Sequence, residues 1–150
     1  MGMMAGRMDD PRRTGRAGGL LDRADTMVVQ AWAEPDPRER LRTAYLAALR
    51  GAGAVLAATG ADRAPRARSR NAWVLMEQAA PEFVMWADYF SSFSELRAAL
   101  EAGLDRAISD VQADEFASRV EAFLHDVEDA LSITAVRLRP AAGRGGDGTA

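Results

Sequence analysis

The amino-acid sequence predicts an all-α protein, an antiparallel helical bundle of four to five main helices. Three observations carry this expectation. Apolar residues recur at three- and four-residue spacing along most of the chain, which puts them on one stripe of a helix. Capping residues, prolines and glycines fall at the ends of these stripes. Val and Ile never alternate with polar residues over a length that would make a half-buried strand.

Each helix has its own justification. The first is expected from about Gly18 to Ala33, with Leu20, Leu21, Ala24, Met27, Val28, Ala31 and Trp32 on one stripe. Glu34-Pro35-Asp36-Pro37 breaks it. Asp36 then caps a second helix that runs to about Thr59, with Pro37 at its first position and Glu39 at its third, a capping-box pattern. The small residues Ala47, Ala48, Gly51, Ala52, Gly53 and Ala54 let another helix approach closely, and Gly60 fits the C-terminal stop. A short helix follows at Asn71 to Ala80, presenting Trp73 and Met76 or Leu75. Pro81 opens a segment with an unusually wide apolar stripe, made of Phe83, Met85, Trp86, Tyr89, Phe90, Phe93, Leu96 and Leu100. Ser91-Ser92 marks a bend, Ser94 is placed to recap and Gly103 ends the segment. The last helix starts near Ser109 or Asp110, with Gln112 three residues after Ser109. It runs to about Ile133 on a stripe of Phe116, Val120, Phe123, Leu124, Val127 and Leu131. Short connections between successive helices favour antiparallel packing.

The stretches outside these helices lack any period. Residues 1–17 and 134–150 are expected to be disordered tails rich in Gly and Arg, leaving one helical domain at 18–133. A chain of 150 residues is long enough to bury its own core.

Composition excludes several classes. There is no cysteine, so neither a disulfide scaffold nor a thiolate metal site is available. No segment reaches the ~18 consecutive apolar residues of a membrane span. No apolar core of a secretory signal is visible in the first residues, and a cytoplasmic location is the expectation. All 19 basic residues are Arg, which together with heavy Ala use reads as the codon bias of a GC-rich genome. The net charge of −3 is unevenly spread. The loop from Gly60 to Arg70 carries Arg63, Arg66, Arg68 and Arg70 against Asp62. The stretch from Asp110 to Ala130 carries Asp110, Asp114, Glu115, Glu121, Asp126, Glu128 and Asp129 against Arg119 alone.

Several motifs together resemble the HEPN superfamily (higher eukaryotes and prokaryotes nucleotide-binding domains), in particular a small branch from high-GC bacteria. They are Leu20-Leu-Asp-Arg-Ala24, Arg42-Thr-Ala-Tyr-Leu-Ala-Ala-Leu-Arg50 with the Gly-Ala-Gly-Ala-Val-Leu-Ala-Ala that follows, the basic loop before Asn71-Ala-Trp-Val-Leu75, Ala80-Pro-Glu-Phe83 with Trp86, and Arg119-Val-Glu-Ala-Phe-Leu-His125. The resemblance covers roughly residues 19–131 and implies a helical domain. It also implies an RNA- or nucleotide-related role, because many HEPN proteins are metal-independent ribonucleases with an Arg-x4-6-His motif on a late helix. In those proteins two subunits bring two motifs into one cleft, so a homodimer is implied. Other members have lost the motif and serve as binding or structural modules. By position, Arg119 and His125 are the motif pair here, and Val120 departs from the polar residue common after the Arg in active members.

Helix geometry weighs this pair. Positions six residues apart lie about 120° apart around the axis and roughly 9 Å apart along it. One straight helix therefore does not bring both groups to one phosphate, whereas two subunits crossing here would assemble four such groups. Arg119 would then neutralise the developing charge and His125 would act as general base or acid, with no metal or other cofactor. Against this, His125 lies ~140° from the apolar centre of the helix, on its outer face. Its helical neighbours there are Glu121, Glu128 and Asp129. A solvent-facing His on a noncatalytic protein-interaction or dimerisation module is the alternative. Arg63, Arg66, Arg68 and Arg70 are the candidate nucleic-acid contacts, against the plainer reading of a solvated loop. The wide aromatic stripe is core, or in part a face for a second subunit. No nucleotide-binding Gly-rich loop, metal-ligand cluster or Ser/His/Asp triad is convincing.

Overall fold

The computed structural model describes residues 15–63, 71–104 and 106–138, with side chains described as far as Ile133. The tails expected at 1–17 and 134–150 fall largely outside the described residues, as do Arg66, Arg68 and Arg70. Six α-helices are present among the described residues: α1 (Gly15–Ala33), α2 (Pro37–Thr59), α3 (Ala72–Ala79), α4 (Val84–Ser91), α5 (Ser94–Glu101) and α6 (Asp110–Leu138). Single 3-10 turns at Ala61–Arg63 and Pro81–Phe83 connect them, and no strand occurs among the described residues. The first helix thus starts three residues before the expected Gly18, and the last continues beyond the expected Ile133.

Local chemistry sets most of the ends. Asp36 accepts the backbone N–H of Arg38 at 3.0 Å and Pro37 occupies the first helical position of α2. The expected reciprocal contact from Glu39 is replaced by another one, since its carboxylate accepts from Arg42 at 2.7 Å. Gly60 closes α2 at φ 78°, a left-handed conformation that a Cβ would strain. The capping box foreseen at Ser109 forms in full: Ser109 Oγ accepts from the Gln112 N–H at 3.1 Å, and Gln112 Oε1 accepts from the Ser109 N–H at 2.9 Å. Ser94 does not recap. Phe93 takes the N-cap position of α5 with no side-chain cap, while the bend before it is held by Ser92 Oγ donating to the Tyr89 carbonyl at 2.6 Å.

Three long helices frame the core. The tight turn at residues 34–36 folds α1 back antiparallel on α2, so that Gly53 meets Leu20 and Arg16 meets Asp62 at the far end. The short helices α3 to α5 then return the chain to the start of α2. As a result α6 runs parallel to α2: Arg40 faces Asp110 and Asp114, and Gly51 faces Phe123 and Leu124. At Gly51 the packing is tight: an added Cβ would stand 2.6 Å from Leu124 and 2.9 Å from the Phe123 ring. The small-residue run of α2 is the reason the two helices cross so tightly.

Much of the wide aromatic stripe is covered within the chain, with Phe83 and Phe90 buried and Trp86, Tyr89, Phe93, Leu96 and Leu100 half-buried. Trp73 of α3 stacks on Phe90 of α4 with ring centres 4.8 Å apart, and Phe90 meets Phe123 of α6 edge-on at 5.1 Å. Phe93 packs on Phe116 at 4.6 Å. Two neighbours, α3 and α6, thus cover a stripe wider than one helix would bury. Met85, 76% exposed, is the member left outside.

Candidate functional site

Val120, Phe123, Leu124 and Val127 are buried and orient α6, fixing where Arg119 and His125 go. Both are exposed, as their positions off the stripe require. Arg119 stands on the flank facing α4, with its guanidinium 5.9 Å from the centre of the Tyr89 ring. This cation–π contact replaces the pairing with Glu115 that helical spacing also allowed. Tyr89 is half-buried, and burial pushes its hydroxyl above the ordinary phenol value. The Arg119 charge opposes that shift and Glu115 adds to it.

His125 lies about 120° further round the helix. Glu121, Glu128 and Asp129 share its side of α6. Within one chain the helix does not bring Arg119 and His125 together. Asp126, next to His125 in sequence, turns back toward α4 and accepts the Trp86 indole N–H at 2.8 Å.

Of the basic loop, Arg63 lies in the described residues, exposed on the 3-10 turn after α2. Asp62 beside it pairs with Arg16 of α1 at 2.7 Å, so the single acidic residue of that segment is already engaged. Among the described residues no set of three or more His, Asp and Glu side chains converges to hold a metal ion. No described helix is long and apolar enough to cross a membrane.

Sequence reasoning missed the principal buried charge. The Arg40 side chain, 10% exposed, donates to the carbonyls of Glu34 and Pro35 and reaches Asp114 at 2.8 Å and Asp110 at 3.1 Å. It joins the α1–α2 turn to the first turn of α6. A signal existed: the end of a helix leaves carbonyls without partners, and Arg is the side chain that reaches several at once.

The architecture is therefore a helical bundle with an Arg-x5-His pair on the outside of its last helix, the class to which the sequence motifs pointed. A family model described as HEPN_SAV_6107, SAV_6107-like HEPN, matches residues 31–128. The chain belongs to the SAV_6107-like HEPN family. No curated protein and no solved structure matches it significantly.

Proposed function

We propose that this HEPN domain is a noncatalytic protein-interaction module, a degenerate relative of the ribonucleases of its superfamily. The observation that supports this reading is the setting of His125. It stands on the outer face of α6 with Glu121, Glu128 and Asp129, on a different side of the helix from Arg119. These carboxylates repel a phosphate backbone and suit a basic partner surface. The test is incubation of the purified full chain with single-stranded RNA in EDTA, with no cleavage expected.

A second reading keeps the domain RNA-directed and cytoplasmic. Arg119 and His125 are both exposed, and Arg119 is steadied by Tyr89 at 5.9 Å. A homodimer crossing at α6 would place one copy's Arg119 beside the other's His125. Arg63, with Arg66, Arg68 and Arg70, would add phosphate contacts. That reading requires cleavage that survives EDTA, leaves a 2′,3′-cyclic phosphate and disappears in both Arg119→Ala and His125→Ala. It also requires twice the monomer mass in sedimentation equilibrium, and weaker RNA binding when the four loop arginines become Ser.

A further inference from the structure

A pocket of about 380 Å³ opens between the C-terminal part of α2, the turn at Pro81–Phe83, the start of α4 and the last turns of α6. Its size lies within the ~300–1,000 Å³ range of small-molecule sites. Two kinds of side chain line it. Phe83, Trp86 and Leu131 give apolar walls, and Glu82, Asp126 and Asp129 are the ionisable groups among the described residues, all of them acidic. The hydrogen bond from Trp86 Nε1 to Asp126 Oδ2 holds an indole and a carboxylate from two different helices in one fixed arrangement. The second Asp126 oxygen has no hydrogen-bond partner among the described residues.

This combination selects a ligand class. Three carboxylates repel phosphates, nucleotides and other anions. A bare metal ion needs converging oxygen ligands, and the described residues do not supply such a set. A neutral apolar molecule would fill the walls and leave the carboxylates unused. A cation on an apolar body uses both: the body leaves water against Phe83, Trp86 and Leu131, and the head donates charge-assisted hydrogen bonds to Asp126 and Asp129. We infer that the pocket binds a small amphiphilic organic cation, an ammonium or guanidinium group on a short hydrocarbon or aromatic body. The inference shares Asp129 with the acidic face beside His125 but uses neither Arg119 nor His125, which do not line the pocket.

Calorimetric titration of the full chain with hexylammonium, hexanol and hexanoate tests it. Hexylammonium binds one per chain and at least tenfold more tightly than hexanol, and hexanoate does not bind. The double variant Asp126→Asn, Asp129→Asn brings hexylammonium to the level of hexanol, while the side-chain amide that replaces the Asp126 carboxylate still accepts the Trp86 N–H. The Trp86 indole N–H resonance, assigned by its loss in Trp86→Phe, shifts on binding to the parent protein. Hexylammonium binding no tighter than hexanol, equal binding to the double variant, or an unmoved Trp86 resonance would each overturn the proposal.

Discussion

The Trp73 indole donates to the Tyr45 hydroxyl across 2.8 Å, with both side chains buried between α2, α3 and α6. The two rings meet edge to face at 6.0 Å. A buried indole N–H without an acceptor carries its full desolvation cost, so this bond is worth more to keep than its net contribution implies. Tyr45→Phe removes the acceptor and almost no volume. The expected loss is about 1–3 kcal/mol in urea unfolding, read as a lower midpoint at unchanged slope. Ser94→Ala, which removes the longer 3.4 Å contact to the same hydroxyl, should shift the midpoint far less. Equal effects of the two changes would mean that the Trp73 bond is not the one that matters.

Arg40 leads to a graded expectation. Its guanidinium is nearly enclosed, but Asp110 and Asp114 are 73% and 52% exposed, so water screens the carboxylate side of the interaction. The stabilising share therefore resides mainly in the bonds to the Glu34 and Pro35 carbonyls. Arg40→Ala is expected to cost about 2–3 kcal/mol, given that charge-assisted hydrogen bonds contribute ~1.5–3 kcal/mol each and part of the site refills with water. Asp110→Asn and Asp114→Asn should each cost under ~1 kcal/mol. Arg40→Lys should recover less than half of the loss, because one ammonium cannot span both carbonyls and both carboxylates. Thermal and urea unfolding of the four variants separates these outcomes.

The glycines of α2 separate helix propensity from packing. Gly→Ala in a helix interior gains up to ~1 kcal/mol when space allows. At Gly53 the new Cβ would meet Leu20 at 3.5 Å, an ordinary contact, so Gly53→Ala should stabilise. At Gly51 it would press on Leu124 and the Phe123 ring at 2.6 and 2.9 Å. Leu124 can rotate but the ring is wedged among Trp73, Phe83, Trp86 and Phe90. Gly51→Ala should therefore destabilise by about 1–2 kcal/mol, the usual scale of an overpacked core. A stabilising Gly51→Ala would show that α2 and α6 separate more easily than this packing implies.

Periodic features were legible in the sequence, and long-range ones were not. The stripe from Phe116 to Leu131 and the cap at Ser109 are written locally, in spacing and in the chemistry of one turn. The same holds for Arg119 and His125, whose angular separation on α6 follows from their spacing alone. The coverage of the aromatic stripe was hidden because it depends on which rings of the helices at 72–79, 84–91 and 110–138 meet in space, which no local pattern states. The pocket carboxylates were visible only as part of an acidic run. That Asp126 turns toward Trp86 while its neighbour His125 faces solvent is set by the fold that brings α4 against α6. Ser94 looked like a cap because Ser caps often; here Tyr45 lies within 3.4 Å of it instead.

Tyr89 and Arg119 make a pH-dependent prediction. Burial raises the Tyr89 hydroxyl above its ordinary value near 10.0, while Arg119 pulls it down. Because the folded state favours the neutral phenol, its share of stability is fully present below about pH 10 and is lost as pH rises through the higher folded value. Absorbance titration near the phenolate band, compared with Tyr89→Phe, should place the Tyr89 step above the ordinary phenol value. Tyr89→Phe should abolish that late step and flatten the alkaline fall in stability. Arg119→Ala should move the same step to still higher pH, because the charge that favoured the phenolate is gone and Glu115 remains to oppose it. A late step that stays in place in Arg119→Ala would mean that the guanidinium does not rest over the ring in solution. Arg119 would then be a freely moving surface charge.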